Sequence, residues 1–336
     1  MSTMPSRRRM RGFTIVELMI AMVLGLLVSG AVLSIFLTSR RSFDTDEMVQ
    51  RMQDDARYAI QALSTDLSMA GYYADLMLPG SMTLDDSLNG FDGCAASGAD
   101  NWIYRTVHPV TGGSLALTTV DNATGTAAST AFPCVTASEH VPGTDVIAVR
   151  RVAGAEAPAA GTADHVYLRT NGTLGLLYRE PVAAPPAVDV PPPFTEWEYR
   201  ASIYFVRNYS RAPGDGIPSL CRLVFGTGVA VPVPEVLAYG IENLQVEYGL
   251  DGDGDGEPNV YLSNPTLEQM QTAVSAQISI LARSAERNAQ YTNDKTYSIG
   301  NAPDYTPADN FYRRAFSITV GLHNLRNLRR LQPEQI

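Results

Sequence analysis

Gly12-Phe13-Thr14-Ile15-Val16-Glu17-Leu18 opens an apolar run that continues to Leu37, and the reading of that run decides the fold. Arg7, Arg8, Arg9 and Arg11 stand before it, and Glu17 is the only ionisable side chain from Phe13 to Leu37. At about 1.5 Å of rise per residue, a helix over this stretch is long enough to cross a hydrocarbon core of about 30 Å. A carboxylate inside such a segment costs about 2.5–3.5 kcal/mol at mid-bilayer and less near its end, so Glu17 needs a compensating partner. A cleavable secretory signal does not fit. The run is too long, it carries an acid, and Thr38-Ser39-Arg40-Arg41 follows it in place of a small-residue cleavage site. A plain signal anchor suits the length and the leading arginines, which favour a cytoplasmic N-terminus, but it leaves Glu17 without a role.

With basic residues before it and a membrane-length stretch after it, the heptapeptide resembles the class III signal of type IV prepilins and pseudopilins. In that family prepilin peptidase cuts between the glycine and the phenylalanine and methylates the new amino group. The glutamate near the start of the mature chain helps to dock a subunit into the growing filament. The resemblance therefore implies cleavage between Gly12 and Phe13, N-methylation of Phe13, and an assembly role for Glu17. The physics agrees, because an amino terminus at Phe13 is a cation beside lipid. Opposite charges a few ångströms apart in low dielectric attract strongly, so an incoming subunit's terminus would seek a neighbour's Glu17. Ala21, Gly25 and Ser29 recur every four residues. They read either as a stripe on which another helix lies close or as the ordinary tolerance of small residues in membrane helices.

The helical pattern outlasts the membrane. Met48, Met52, Ala56, Ala59, Ile60, Leu63, Leu67 and Ala70 keep three- and four-residue spacing, with Asp54, Asp55, Arg57, Gln61 and Asp66 between them, and no proline interrupts. One helix over about 13–70, ended by Gly71 as a C-cap, is the simplest account. The expected organisation is a leader at 1–12, a transmembrane half-helix at 13–37, an amphipathic half-helix at 38–71, and a β-rich periplasmic head at 72–336. This is an α+β chain with the half-and-half helix that the resemblance to type IV pilins implies.

Composition sets further bounds. The 336 residues carry a net charge of −10, which excludes a nucleic-acid binder with a basic face. Only 18% of residues are charged, while 27 glycines and 21 prolines point to strands and loops rather than a helical bundle. Cys94, Cys134 and Cys221 form no Cys-x-x-Cys pair. In an oxidising compartment Cys94 and Cys134, both in polar loop sequence, are the favoured disulfide, with other pairings open and Cys221 read as a small core residue of a strand.

In the head, strands are expected at 102–107, 114–120, 145–152, 164–169, 173–179, 196–207, 219–225, 241–250, 274–283 and 311–323, with the rest of 79–143 as loop. A short helix at 265–272 is expected behind Ser263 or Asn264. The Pro-rich stretch 181–193 reads as an extended connector or flap.

One motif in the head carries chemistry, Asp251-Gly252-Asp253-Gly254-Asp255-Gly256-Glu257-Pro258-Asn259. Asp251, Asp253 and Asp255 match the first, third and fifth positions of an EF-hand-type loop. Glu257 would offer its backbone carbonyl, and Asn259 stands at the ninth position. The twelfth is Leu262 rather than a bidentate glutamate, so calcium would need a distant oxygen or water. A solvated acidic hairpin turn is the competing reading. His108, His140, His165 and His323 are scattered singly, and no nucleophile elbow or phosphate-cradling loop occurs, so no enzymatic activity is expected.

The acidic turn together with residues 274–284 and 312–320 is similar to the PilW-type minor pilins. That resemblance implies a place in the initiation and assembly of type IV pili, in a tip complex with other minor pilins and a tip adhesin. It also implies contact with the major pilin through the N-terminal helix, and an inner-membrane stage before assembly. Adhesion and twitching motility are the processes such pili serve. A minor pseudopilin of type II secretion and a membrane-anchored periplasmic binding domain are the alternatives.

Overall fold

The computed structural model describes residues 12, 14–77, 79–88, 103–104, 116–158, 161–180, 190–228 and 232–325. Phe13, Cys94, His108 and residues 181–189 of the Pro-rich connector lie outside them. The chain divides into two units, Met1–Gln50 and Arg51–Ile336.

Helix α1 runs Ile15–Ser68. Its apolar side chains between Ile15 and Leu37 are exposed, and it is long and apolar enough to cross a membrane. Within Arg51–Ile336, α1 buries Met52, Ala56, Ala59, Leu63 and Asp66, one stripe at alternating spacings of four and three, with Leu67 beside its end. The sequence pattern placed Asp66 among the polar positions between the apolar ones, and the structure corrects that. Asp66 is buried, because Arg151 and Tyr204 neutralise it from the sheet beneath. Past Ser68 the chain turns at Gly71, whose φ of +75° lies in the left-handed region expected of a C-capping glycine.

Eight of the described strands form one sheet: β1 (Met82–Leu84), β2 (Leu117–Ala123), β3 (Thr144–Glu156), β4 (Val166–Thr170), β5 (Gly175–Arg179), β6 (Thr195–Arg207), β7 (Ser219–Phe225) and β8 (Glu235–Tyr239). Four more, β9 (Ile241–Leu250), β10 (Val260–Leu262), β11 (Ala273–Arg283) and β12 (Arg313–Gly321), form a second in the order β10-β9-β11-β12. Their pairings are antiparallel apart from β1 beside β5. Strand β6 is the spine of the larger sheet. It carries β3 along one side, while β4 and then β7 share the other.

Alternation gives that sheet two faces. Val146, Ala148 and Val152 of β3 and Tyr199, Ala201, Ile203 and Phe205 of β6 enter the main core with Tyr73, Leu88 and Phe132. Arg151 and Tyr204 point to the opposite face, where they meet α1. The second sheet shares that face through β9, whose Val246 N–H donates to Asp145 of β3 at 2.7 Å.

Expected and observed strands coincide at β7 and β9 and nearly so at β3, β6 and β11. Elsewhere the structure differs. Ile103 and Tyr104 lie in a turn rather than a strand, and the rest of 102–107 is outside the described residues. The segment read as loop contains helix α2 (Gly125–Ala131), which Thr124 starts by accepting the Ala127 N–H at 3.1 Å. Helix α3 (Leu267–Met270) is shorter than expected and begins behind Thr266, not Ser263 or Asn264. Thr266 and Gln269 form a reciprocal capping box, which outcompetes the upstream candidates.

Candidate functional site

Thr14 caps α1, and Glu17 is its partner. Glu17 Oε2 accepts the Thr14 N–H at 2.9 Å and the Thr14 hydroxyl at 3.0 Å, and the Glu17 N–H donates to Thr14 Oγ1 at 3.2 Å. This is a capping box, the reciprocal Thr-x-x-Glu arrangement that satisfies two orphan donors of a helix start. The sequence reading gave Glu17 a partner in a neighbouring subunit and passed over Thr14. The spacing Thr14-Ile15-Val16-Glu17 was the signal that could have found it. Oxygen Oε2 is engaged within the chain, and Oε1 makes no hydrogen bond among the described residues. One carboxylate can therefore cap its own helix and still present an acceptor outward.

The acidic motif is the hairpin loop between β9 and β10. Asp251 is buried at the end of β9, held there by its N–H bond to the Thr272 carbonyl at 2.9 Å. Its carboxylate accepts the Gly254 N–H at 2.5 Å and the Gly256 N–H at 3.0 Å. Gly254 and Gly256 have φ of +84° and +97°, which lets the backbone fold back over Asp251. Asp253 and Asp255 are exposed, and one carboxylate oxygen from each of the three acids lies within 4.8 Å of the others. Three convergent carboxylates suit a hard cation.

Asn259 is turned away from that role. Its carbonyl oxygen accepts the Gly252 N–H at 2.5 Å, and its amide nitrogen donates to Asp253 Oδ2 at 3.3 Å. A ninth-position contact from Asn259 thus needs a rotated carboxamide. Val260–Leu262 continue as strand, so the loop is framed by two strands where an EF-hand has helices. The structure joins the two sequence readings, since the loop is at once a hairpin turn and a convergent acid cluster.

The remaining candidates do not gather into a site. Cys221 is a free thiol buried in β7, with its pKa pushed up to about 11 by burial. Cys134 is half-buried against the main core, and Cys94, the other half of the expected pair, lies outside the described residues. His140 is buried with its Nε2 3.1 Å from the Ala123 carbonyl, and burial lowers its pKa. His165 pairs with Glu198 at 2.9 Å, and His323 is exposed. A charge cluster that sequence reasoning missed locks the β11–β12 end of the second sheet. Arg313 donates to both oxygens of Glu242 at 2.5 and 2.9 Å and to Asp309 at 2.6 and 2.7 Å.

The family model described as type IV pilus-assembly protein W (PilW) matches residues 203–324. The prokaryotic N-terminal methylation motif matches residues 7–33. Among solved structures, a type IV-like pilin from Thermus thermophilus is 13% identical with a TM-score of 0.38, over 82% of this chain and 97% of that one. No curated protein matches the chain.

Proposed function

We infer from the matches over 7–33 and 203–324 that this chain is a PilW-type minor pilin. We propose that prepilin peptidase cuts it between Gly12 and Phe13 and methylates Phe13. It begins as a single-pass inner-membrane protein with a periplasmic head and passes into a pilus-tip complex. The observation that carries this reading is the methylation motif running directly into an exposed apolar helix of membrane-spanning length. Glu17 docks the subunit by meeting the amino terminus of a neighbour, and its outward Oε1 supports that role. Its partners are other minor pilins and the major pilin through α1, and a tip adhesin. Its part is structural rather than catalytic. The match over 203–324 favours pilus assembly above type II secretion.

The same reading gives the head one calcium ion, held by Asp251, Asp253 and Asp255 with the Glu257 carbonyl and a rotated Asn259. The 4.8 Å convergence of the three acids supports it. A Cys94–Cys134 disulfide is supported by Cys221 being a free, buried thiol. Mass spectrometry of membrane-extracted protein tests the central claim. The expected N-terminus is methylated Phe13. A retained leader, in a cell with active prepilin peptidase, would overturn the reading and leave a tethered periplasmic domain.

A further inference from the structure

Strand β12 ends the second sheet. It pairs with β11 residue by residue from Ser275↔Gly321 to Arg283↔Arg313 without a bulge, and no strand flanks its other side among the described residues. Residues 315–321 contain neither a charge nor a proline. Unpaired edges of this kind template further strands, and natural proteins blunt them with lysine, proline, bulges or a covering element. Here no lysine, proline or bulge occurs in β12, and Arg314, its guanidinium 5.3 Å from the Phe316 ring, is the exposed charge on the strand. The edge also carries an apolar row. Phe316, Ile318 and Val320 extend the buried row Ile280, Ile278 and Ala276 of β11, yet Ile318 is 39% exposed. On the other face Ser317 meets Ser279 Oγ at 3.0 Å and Gln277 Nε2 at 3.2 Å.

We propose that β12 docks edge to edge on β12 of a second copy of this chain, antiparallel about Ser317. The strand is complementary to itself in that register. Phe316 of each copy faces Ile318 of the other on the apolar side, and Ala315 faces Thr319 on the polar side. Aromatic and β-branched residues directly opposite each other are favourable cross-strand pairs. Arg314, the exposed charge of the strand, goes to opposite ends of the joint, beside Val320 of the other copy. Parallel pairing in register would instead set Arg314 against Arg314, which is destabilising. A seven-residue joint buries less than the roughly 1,000 Å² expected of a stable interface. It therefore forms where copies are concentrated by a shared membrane, through the anchoring by α1 proposed above. Neither cleavage at Gly12 nor the role of Glu17 enters the argument.

The full chain carrying Ser317→Cys, mildly oxidised in its own membrane, tests the register. Ser317 lies on the two-fold axis, so a disulfide-linked homodimer is expected. Ala315→Cys alone and Thr319→Cys alone should give at least tenfold less, and the two co-expressed should restore the dimer. Adding Ile318→Lys to Ser317→Cys should suppress it. Absence of the Ser317→Cys dimer, equal dimer from each single variant, or linkage to a different protein would each overturn the proposal.

Discussion

Asp66 and Arg151 are joined by two hydrogen bonds, from Arg151 Nη2 at 2.6 Å and Nε at 3.0 Å to Asp66 Oδ1, and so fix the end of α1 to strand β3. The Tyr204 hydroxyl donates to the other oxygen, and both charged side chains are largely buried, Asp66 at 6% and Arg151 at 15% exposure. Removing one partner of such a pair leaves a buried charge without compensation, at a cost of about 3–5 kcal/mol. Asp66→Ala should destabilise the fragment Arg51–Ile336 by that amount in urea unfolding. A loss below about 1 kcal/mol would mean that the pair is solvent-screened.

Glu17 serves two purposes that substitution can separate. Glutamine supports a capping box as glutamate does, but carries no charge. Glu17→Gln and Glu17→Ala should both insert into the membrane normally, and both should reduce the yield of sheared pili. Wild-type piliation in both would remove the assembly role, and wild-type piliation in glutamine alone would reduce Glu17 to a cap.

Asp145 makes the head sensitive to pH. It is fully buried between the sheets, and burial pushes its pKa up to about 7. The amides of Asn122 and Val246 oppose that shift, and Asp121 and Glu247 add to it. An unfolded aspartate titrates near 3.9, so the native state holds a proton that the unfolded chain lacks between about pH 4 and 7. This contribution to stability is complete below about pH 4 and is lost as pH rises through about 7. From pH 8 to pH 6 the wild-type head should gain about 1.4 kcal/mol relative to Asp145→Asn. Comparing the two proteins cancels other groups such as His140. Parallel stability curves would show that Asp145 is ionised throughout.

Calcium should raise the melting temperature of Arg51–Ile336 by a few degrees. At ten times a dissociation constant in the 10⁻⁴–10⁻³ M range, mass action supplies about 1.4 kcal/mol. The shift should reverse with chelator and vanish in Asp253→Asn combined with Asp255→Asn, both exposed positions. An identical shift in the double variant would point to non-specific ion effects.

Thiol counting checks the cysteines. Under denaturing, non-reducing conditions one thiol per chain should react, rising to three after reduction. The Cys221 thiol should react slowly in the folded protein, being buried with a raised pKa. Three thiols before reduction would rule out the Cys94–Cys134 bridge.

Long periodic elements were legible in advance. Met52, Ala56, Ala59 and Leu63 announce a helical face, and the apolar runs of β7 and β9 announce strands. Elements specified by caps rather than by apolar pattern were not. Helix α2 is built from Gly, Thr, Ala and Ser, and its start is decided by Thr124. Burial of Asp66 was hidden because its partners Arg151 and Tyr204 stand 85 and 138 residues away. At the acidic turn the sequence supplied the three acids, but not the orientation of Asn259, which depends on the backbone amide of Gly252. Nor could spacing reveal that β12 is an edge, since that depends on which strands flank it.

The Asn324 side chain donates to the Ser68 carbonyl at 3.1 Å across 256 positions of chain. The final turn of the helix is thus completed by a residue from beyond β12, the last of the described strands. A chain made only as far as β12 leaves that helix end unsealed. Contacts of such long range slow folding. Truncation before residue 324 should therefore leave the end of α1 open and make the fragment more readily degraded than the full chain.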